Sequence, residues 1–180
     1  DNISVISTAI NQVINIVSGL TSPEGLAISP DGGTLSVTNY NGRSVSAINT
    51  LNYQKTNIPV GVNPHGITVS PDGNKIYVTN QGAGTVSVID AASLAVTAIS
   101  VGTGPEGISI TPDGKSVYVA NTTSGTMSVS STCTNAVSAT ITLPGSPVSF
   151  GSFIAPATGC SGTPVTFQIT VDPPVSVMAA

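Results

Sequence analysis

One stretch of sequence decides the fold of this chain, namely residues 63–73, which read NPHGITVSPDG. The chain contains this stretch three times, with SPEGLAISPDG at residues 22–32 and GPEGISITPDG at residues 104–114. A weaker fourth copy starts with SPVSF at residues 146–150. Spacings of 41, 41 and 42 residues separate the shared prolines Pro23, Pro64, Pro105 and Pro147. The chain is therefore built from repeats of about 40 residues.

Each repeat is predicted to contain four β-strands. In the second copy, an apolar alternation at residues 67–69 is followed by the turn sequence Ser-Pro-Asp-Gly. Proline presets that turn, aspartate bonds back to the backbone, and glycine adopts the positive φ angle. Residues 76–80, 85–90 and 95–101 then form three further strands rich in β-branched side chains. Four strands in about 40 residues are typical of one blade of a β-propeller.

The second strand of this repeat resembles a known family. Its sequence Tyr77-Val78-Thr79-Asn80, with Ser-Pro-Asp-Gly before it and Val-Ser-Val-Ile-Asp after it, is similar to the YVTN β-propeller repeat. The resemblance extends over about residues 2–154. It implies a secreted or cell-surface propeller, related to proteins of prokaryotic surface layers and envelopes, which usually have about seven blades. The tail at residues 162–171 is more weakly similar to strands of modular bacterial surface proteins.

The ends of the chain are out of phase with the repeats. Residues 3–6 align with residues 86–89, so the chain starts with the third and fourth strands of a blade. Three complete units follow, and two closing strands are predicted at residues 148–154 and 165–171. The total is sixteen strands, or four blades. We expect the two ends to form a split blade, paired either within one molecule or between molecules.

These boundaries define a single propeller domain. Its predicted parts are residues 1–20 (two strands of the split blade), 22–62, 63–103 and 104–145 (complete blades), 146–172 (the other two strands) and 173–180 (a tail). A four-bladed ring, an assembly that shares blades and a piece of something larger all remain open. The first two residues, Asp1 and Asn2, follow no initiator methionine, which indicates a cleaved leader or a piece of a longer chain.

Composition excludes several classes of protein. Only 7% of the 180 residues are charged and 39% are hydrophobic, a balance opposite to that of disordered chains. Four basic residues are too few for a nucleic-acid surface, and the apolar runs are too short to span a membrane. A net charge of −4 gives weak repulsion between copies. This favours self-association, although an ordinary secreted surface has the same composition.

The two cysteines indicate the compartment. Cys133 and Cys160 both lie in Ser/Thr/Gly-rich segments, where a free thiol would be exposed. We expect a disulfide between them, which places the protein in an oxidising, extracellular environment. The alternative is a pair of buried thiols.

One position brings polar side chains together. Glu24, His65 and Glu106 occupy the same place in successive repeats, directly after the shared proline. In a propeller this connector leads into the innermost strand, so these residues would meet near the axis. Two carboxylates and an imidazole can bind a divalent metal ion or act as an acid–base pair. The alternative is three solvated residues at a variable position, and the fourth copy has Val148 there.

Other recurring residues have structural interpretations. The Pro-Asp-Gly aspartates and Asp90 are predicted to form turns, and the tyrosines of the second strand to pack in the core. The asparagines that end the second strand are predicted to hold the following loop through side-chain-to-backbone bonds. These residues are Asp31, Asp72 and Asp113, Tyr77 and Tyr118, and Asn39, Asn80 and Asn121.

The sequence contains no Gly-x-Ser-x-Gly, P-loop or His-Glu-x-x-His motif. The leading hypothesis is therefore a non-enzymatic extracellular structural or adhesion protein that self-associates in a surface layer or filament. A second hypothesis is a binding module with a ligand or metal at the axial mouth. A third is a lyase that uses His65. Binding of a peptide, a glycan or another surface partner remains open, and fold alone does not choose among these hypotheses.

Overall fold

The computed structural model of the chain describes residues 1–149, residues 153 and 154, and the backbone of residues 170–172. These residues form sixteen β-strands and one 3-10 helix, Tyr40–Gly42. No helix in this part of the chain is long and apolar enough to cross a membrane. The prediction of an all-β propeller with four-stranded antiparallel blades is confirmed.

The strands form five antiparallel sheets. An N-terminal half-blade consists of β1 (Asn2–Ser7) and β2 (Gln12–Ser18). The first complete blade has β3 (Pro23–Ile28), β4 (Thr34–Asn39), β5 (Ser44–Asn49) and β6 (Lys55–Pro59). The second has β7 (Pro64–Val69), β8 (Lys75–Asn80), β9 (Thr85–Asp90) and β10 (Val96–Ser100). The third has β11 (Pro105–Ile110), β12 (Ser116–Asn121), β13 (Thr126–Ser131) and β14 (Ala136–Thr142). A C-terminal half-blade has β15 (Ser146–Val148) and β16 (Thr170–Asp172).

The hydrophobic core lies between blades rather than inside them. Val45 and Ile58 of the first complete blade pack against Val78 and Ile89 of the second. A second cluster joins the second complete blade to the third in the same way, and it includes the buried Tyr77. Because a single sheet has no second layer of its own, each blade depends on its neighbour to bury its apolar face.

The first strands of the complete blades are the inner strands, and neighbouring ones approach each other closely. A Cβ atom at Gly25 would collide with the backbone oxygen of His65, and one at Gly66 would collide with that of Glu106. At Gly107 it would lie 2.6 Å from the Cβ of Ser149. The third residue of each inner strand therefore has to be glycine, because the neighbouring backbone occupies the space of a side chain.

The Pro-Asp-Gly segments form turns at the opposite end of the inner strands, as the sequence predicted. Asp72 Oδ1 accepts hydrogen bonds from Ser70 Oγ at 2.5 Å and from the Asn74 amide at 3.1 Å. These bonds favour the ionised carboxylate, with the serine bond the larger cause, and they lower the pKa of Asp72. The pKa values of Asp31 and Asp113 are lowered by equivalent bonds.

The asparagines at the end of the second strands have partners that differ from the prediction. Asn80 Nδ2 donates to Thr85 Oγ1 at 3.0 Å and to Ser87 Oγ at 2.9 Å. Asn39 and Asn121 make the same pair of bonds in their own blades. These amide groups tie the second strand to side chains of the third strand, and Asn39 Oδ1 also accepts a hydrogen bond from the backbone amide of Thr21, in the loop before β3, at 3.2 Å.

The two half-blades form separate two-stranded sheets in the described residues. The strand predicted at 148–154 is observed as β15, Ser146–Val148, whereas most of the strand predicted at 165–171 lies outside the described residues and only β16, Thr170–Asp172, is described there. The split blade stays a prediction, and the tail at residues 173–180 lies outside the described residues.

A Gly66→Ala substitution should destabilise the propeller by about 1–3 kcal/mol, because the new methyl group forces the inner strands apart. The measurement is chemical denaturation followed by circular dichroism. Gly33→Ala is the matched control, since its Cβ would meet only the end of the Asp31 side chain, at 3.3 Å. Equal losses of stability in the two variants would contradict the close-approach argument.

Acid should destabilise the fold through the turn aspartates. Their folded pKa values lie below the ordinary value of 3.8. Their contribution is therefore present above that value and is lost as the pH falls through the lowered pKa values. The urea midpoint should drop between pH ~6 and pH ~2, and Asp72→Asn should make the drop smaller. An unchanged midpoint in wild type would count against these bonds.

Candidate functional site

The inner strands bring Glu24 and His65 together at one end of the propeller axis. Glu24 directly follows the proline that begins β3, and His65 directly follows the proline that begins β7. His65 Nε2 lies 3.3 Å from Glu24 Oε2. Their side chains are 37% and 21% exposed, so the pair lies at the surface of the mouth. The pair bridges two blades whose backbones are already in contact.

Buried threonines fix the backbone at this position. Thr38 Oγ1 accepts a hydrogen bond from the Gly25 amide at 2.7 Å and donates to the His65 carbonyl at 2.8 Å. In the next blade Thr79 makes equivalent bonds to the Gly66 amide and the Glu106 carbonyl, both at 2.8 Å. Each threonine thus holds its own inner strand and the one that follows, which sets the separation of the mouth residues.

A groove runs along the inner strands beside the Glu24–His65 pair. Its volume is about 480 Å³. Residues 24–26 of β3, 65–67 of β7 and 107–108 of β11 line it, together with Ser149. Its lining includes three glycines and the aliphatic residues Leu26, Ile67 and Ile108. We call this feature the axial groove.

The third predicted site residue, Glu106, has a partner outside the Glu24–His65 pair. Gln81 Nε2 donates to Glu106 Oε1 at 2.7 Å, and the hydroxyl of Tyr40 donates to Gln81 Oε1 at 2.6 Å. Tyr40 also meets His65 edge to face, with ring centroids 6.4 Å apart. A polar chain from Tyr40 through Gln81 to Glu106 therefore crosses three blades beside the mouth.

Sequence reasoning missed Tyr40 and Gln81, although the repeats contain a signal for them. Both directly follow the asparagine that ends the second strand, and Thr122 follows it in the third blade. Thr122 Oγ1 also reaches the next blade, where it donates to the Pro147 carbonyl at 2.8 Å. The residue after this asparagine is therefore a second position of the repeat, besides the one after the shared proline, whose side chains reach the next blade.

The structure thus joins two of the three residues of the predicted metal set. Glu24 and His65 are paired, while Glu106 is bonded to Gln81. Among the described residues, no three His, Cys, Asp or Glu side chains are placed to hold a metal ion. The divalent-metal site remains a prediction that has not been tested.

Only one cysteine of the predicted disulfide is among the described residues. Cys133 is exposed and forms no disulfide with another described residue. Its predicted partner, Cys160, is outside the described residues, so the pairing stays a prediction.

The chain belongs to a known propeller family. Residues 32–152, more than half of the chain, match the family described as lactonase, 7-bladed β-propeller. This establishes the propeller class, and the narrower resemblance to the YVTN repeat stays a prediction. Among curated proteins no match was found.

Two solved structures share the fold. The chain is 33% identical to Kuenenia stuttgartiensis hydrazine synthase, with a TM-score of 0.68 and coverage of 72% of this chain and 38% of that one. It is 23% identical to a functionally unknown protein from Desulfotomaculum acetoxidans DSM 771, with a TM-score of 0.67 and coverage of 76% and 47%. The chain therefore spans less than half the length of either structure.

A Gln81→Ala substitution should destabilise the protein by about 2 kcal/mol, because it removes two hydrogen bonds and leaves the Glu106 carboxylate without this donor. Tyr40→Phe is the matched control, since it removes one bond of the same chain and should cost about 1 kcal/mol. Thermal and urea denaturation measure both. If Gln81→Ala lowers the free energy of unfolding no more than Tyr40→Phe does, the hydrogen bonds from Tyr40 through Gln81 to Glu106 do not stabilise the mouth.

Proposed function

We propose that this chain is a non-enzymatic extracellular structural or adhesion protein that associates with copies of itself, in a surface layer or filament, through its half-blades. One observation carries the proposal. Ile6 of β1 is 60% exposed, whereas Ile48 and Ile89, at the same position in the first two complete blades, are 1% and 0% exposed. In a complete blade, strands one and two and the preceding blade cover this position.

The exposed surface continues onto the first complete blade. Leu26 and Ile28 of β3 are 56% and 58% exposed. Their equivalents in β7, Ile67 and Val69, pack against the core cluster shared with the preceding blade. β3 is preceded by only β1 and β2, so its apolar side chains have no inner strands to pack against. We call this surface, formed by Ile6, Leu26 and Ile28, the open face.

The chain also contains the strands that would cover this face. β1 and β2 align with the third and fourth strands of a blade, and β15 and β16 occupy the positions of the first and second. A β16 edge from a second copy can pair with β1 and complete the blade. Association in this manner buries apolar surface, and the low net charge opposes it only weakly.

The extracellular location and the absence of catalysis are parts of the same proposal. The location is supported by the resemblance to surface proteins and by a composition poor in lysine. The family is named for lactonases, but the proposal assigns no catalytic step to this chain. Hydrolysis of a lactone by the purified protein, abolished by His65→Ala, would contradict that part.

Light scattering during size-exclusion chromatography tests the association. The mass of the wild-type protein should rise with concentration, and Ile6→Asp should shift it to the monomer because a charge is costly to bury. Leu51→Asp is the matched control, since Leu51 is 89% exposed in a turn of the first complete blade. A monomeric wild type at all concentrations, or equal effects of the two substitutions, would overturn the proposal.

A further inference from the structure

We propose that the axial groove is a binding site for a small amine, a primary ammonium group attached to a short apolar body, held by the carboxylate of Glu24. The groove shares Leu26 with the open face, but the Glu24–His65 pair that would hold the ammonium group is not part of that face. The inference goes beyond self-association and would stand if the protein proved to be a monomer.

The charges around the groove favour a cation. Glu24 is the only acidic side chain among the described residues that line it, its partner His65 is the one lining residue that can be a base, and none of these residues is a lysine or an arginine. Glu106, at the same position of the next blade, is not among the described lining residues and is bonded to Gln81. A concave wall with one sign of charge concentrates ligands of the opposite sign.

Two backbone amides of the groove already have hydrogen-bond acceptors. The amides of Gly25 and Gly66, which could otherwise bind an anion, already donate to Thr38 and Thr79. The oxygens of the Glu24 carboxylate, one of which lies 3.3 Å from His65 Nε2, are hydrogen-bond acceptors that an ammonium group can use. An anion would therefore lose its hydration without finding amide donors at Gly25 or Gly66, while an ammonium group finds acceptors.

The shape of the groove selects the remainder of the ligand. About 480 Å³ is enough for a ligand of modest size. Leu26, Ile67 and Ile108 offer an aliphatic wall next to the Glu24–His65 pair. A short apolar body can lie against this wall while the ammonium group binds Glu24 at the rim. Two donor side chains are fewer than a zinc ion requires, so an organic cation fits this pair better than a metal.

Three ligands of similar shape test the charge preference, namely cyclohexylmethylammonium, cyclohexylmethanol and cyclohexanecarboxylate. Isothermal titration calorimetry gives the affinities, and the imidazole proton resonances of His65 report the location, since the chain has only one histidine. The ammonium compound should bind tightest, the alcohol more weakly and the carboxylate weakest. Binding of the ammonium compound should shift the His65 signals.

Glu24→Gln keeps the shape of the side chain and removes its charge, so the ammonium compound should bind about tenfold more weakly or worse. Asp113→Asn is the matched control, because it changes the net charge equally at the far end of an inner strand and should leave binding unchanged. The proposal is overturned if the ammonium compound does not bind, if the carboxylate binds as tightly, or if the two variants bind it equally.

Discussion

Neighbouring inner strands of this propeller lie so close that one position in each strand has no space for a side chain. Gly25, Gly66 and Gly107 occupy that position, and the backbone of the next unit fills the space. The close approach lets Thr38 and Thr79 bond to two strands at once. It also brings Glu24 within reach of His65. The interblade core, the groove and the mouth pair all depend on this separation.

Local chemistry made much of this fold predictable. The Pro-Asp-Gly turns follow from the preferences of three residue types, and the β-branched alternation gives the strands that pack around Val78 and Ile89. The bounds of β15 were predicted less accurately, because the fourth copy of the repeat has lost most of its signal. The asparagine partners were also missed, since side-chain bonds to the third strand depend on rotamers that a pattern does not specify.

The candidate site was predicted only in part, for a related reason. The repeat period placed Glu24, His65 and Glu106 at one position, and that position does lie at the mouth. The period could not indicate that Glu106 would turn to Gln81. Tyr40 and Gln81 are 41 residues apart and differ in chemistry, so their bond follows from the arrangement of blades rather than from similarity between repeats. Sequence repetition predicts which residues occupy equivalent positions in the blades. Which hydrogen-bond partner each of them has depends on its own side chain and on that of its neighbour.

The location of the core between blades has a consequence for how such a chain can change in length. Adding one whole period adds one new interface and leaves the existing ones intact, so the cost is mainly the entropy of ordering the new residues. Removing part of a period exposes a half-packed surface on the neighbour. Duplication and loss by complete units are therefore the changes that this architecture tolerates, and the spacing of the prolines preserves that unit of growth.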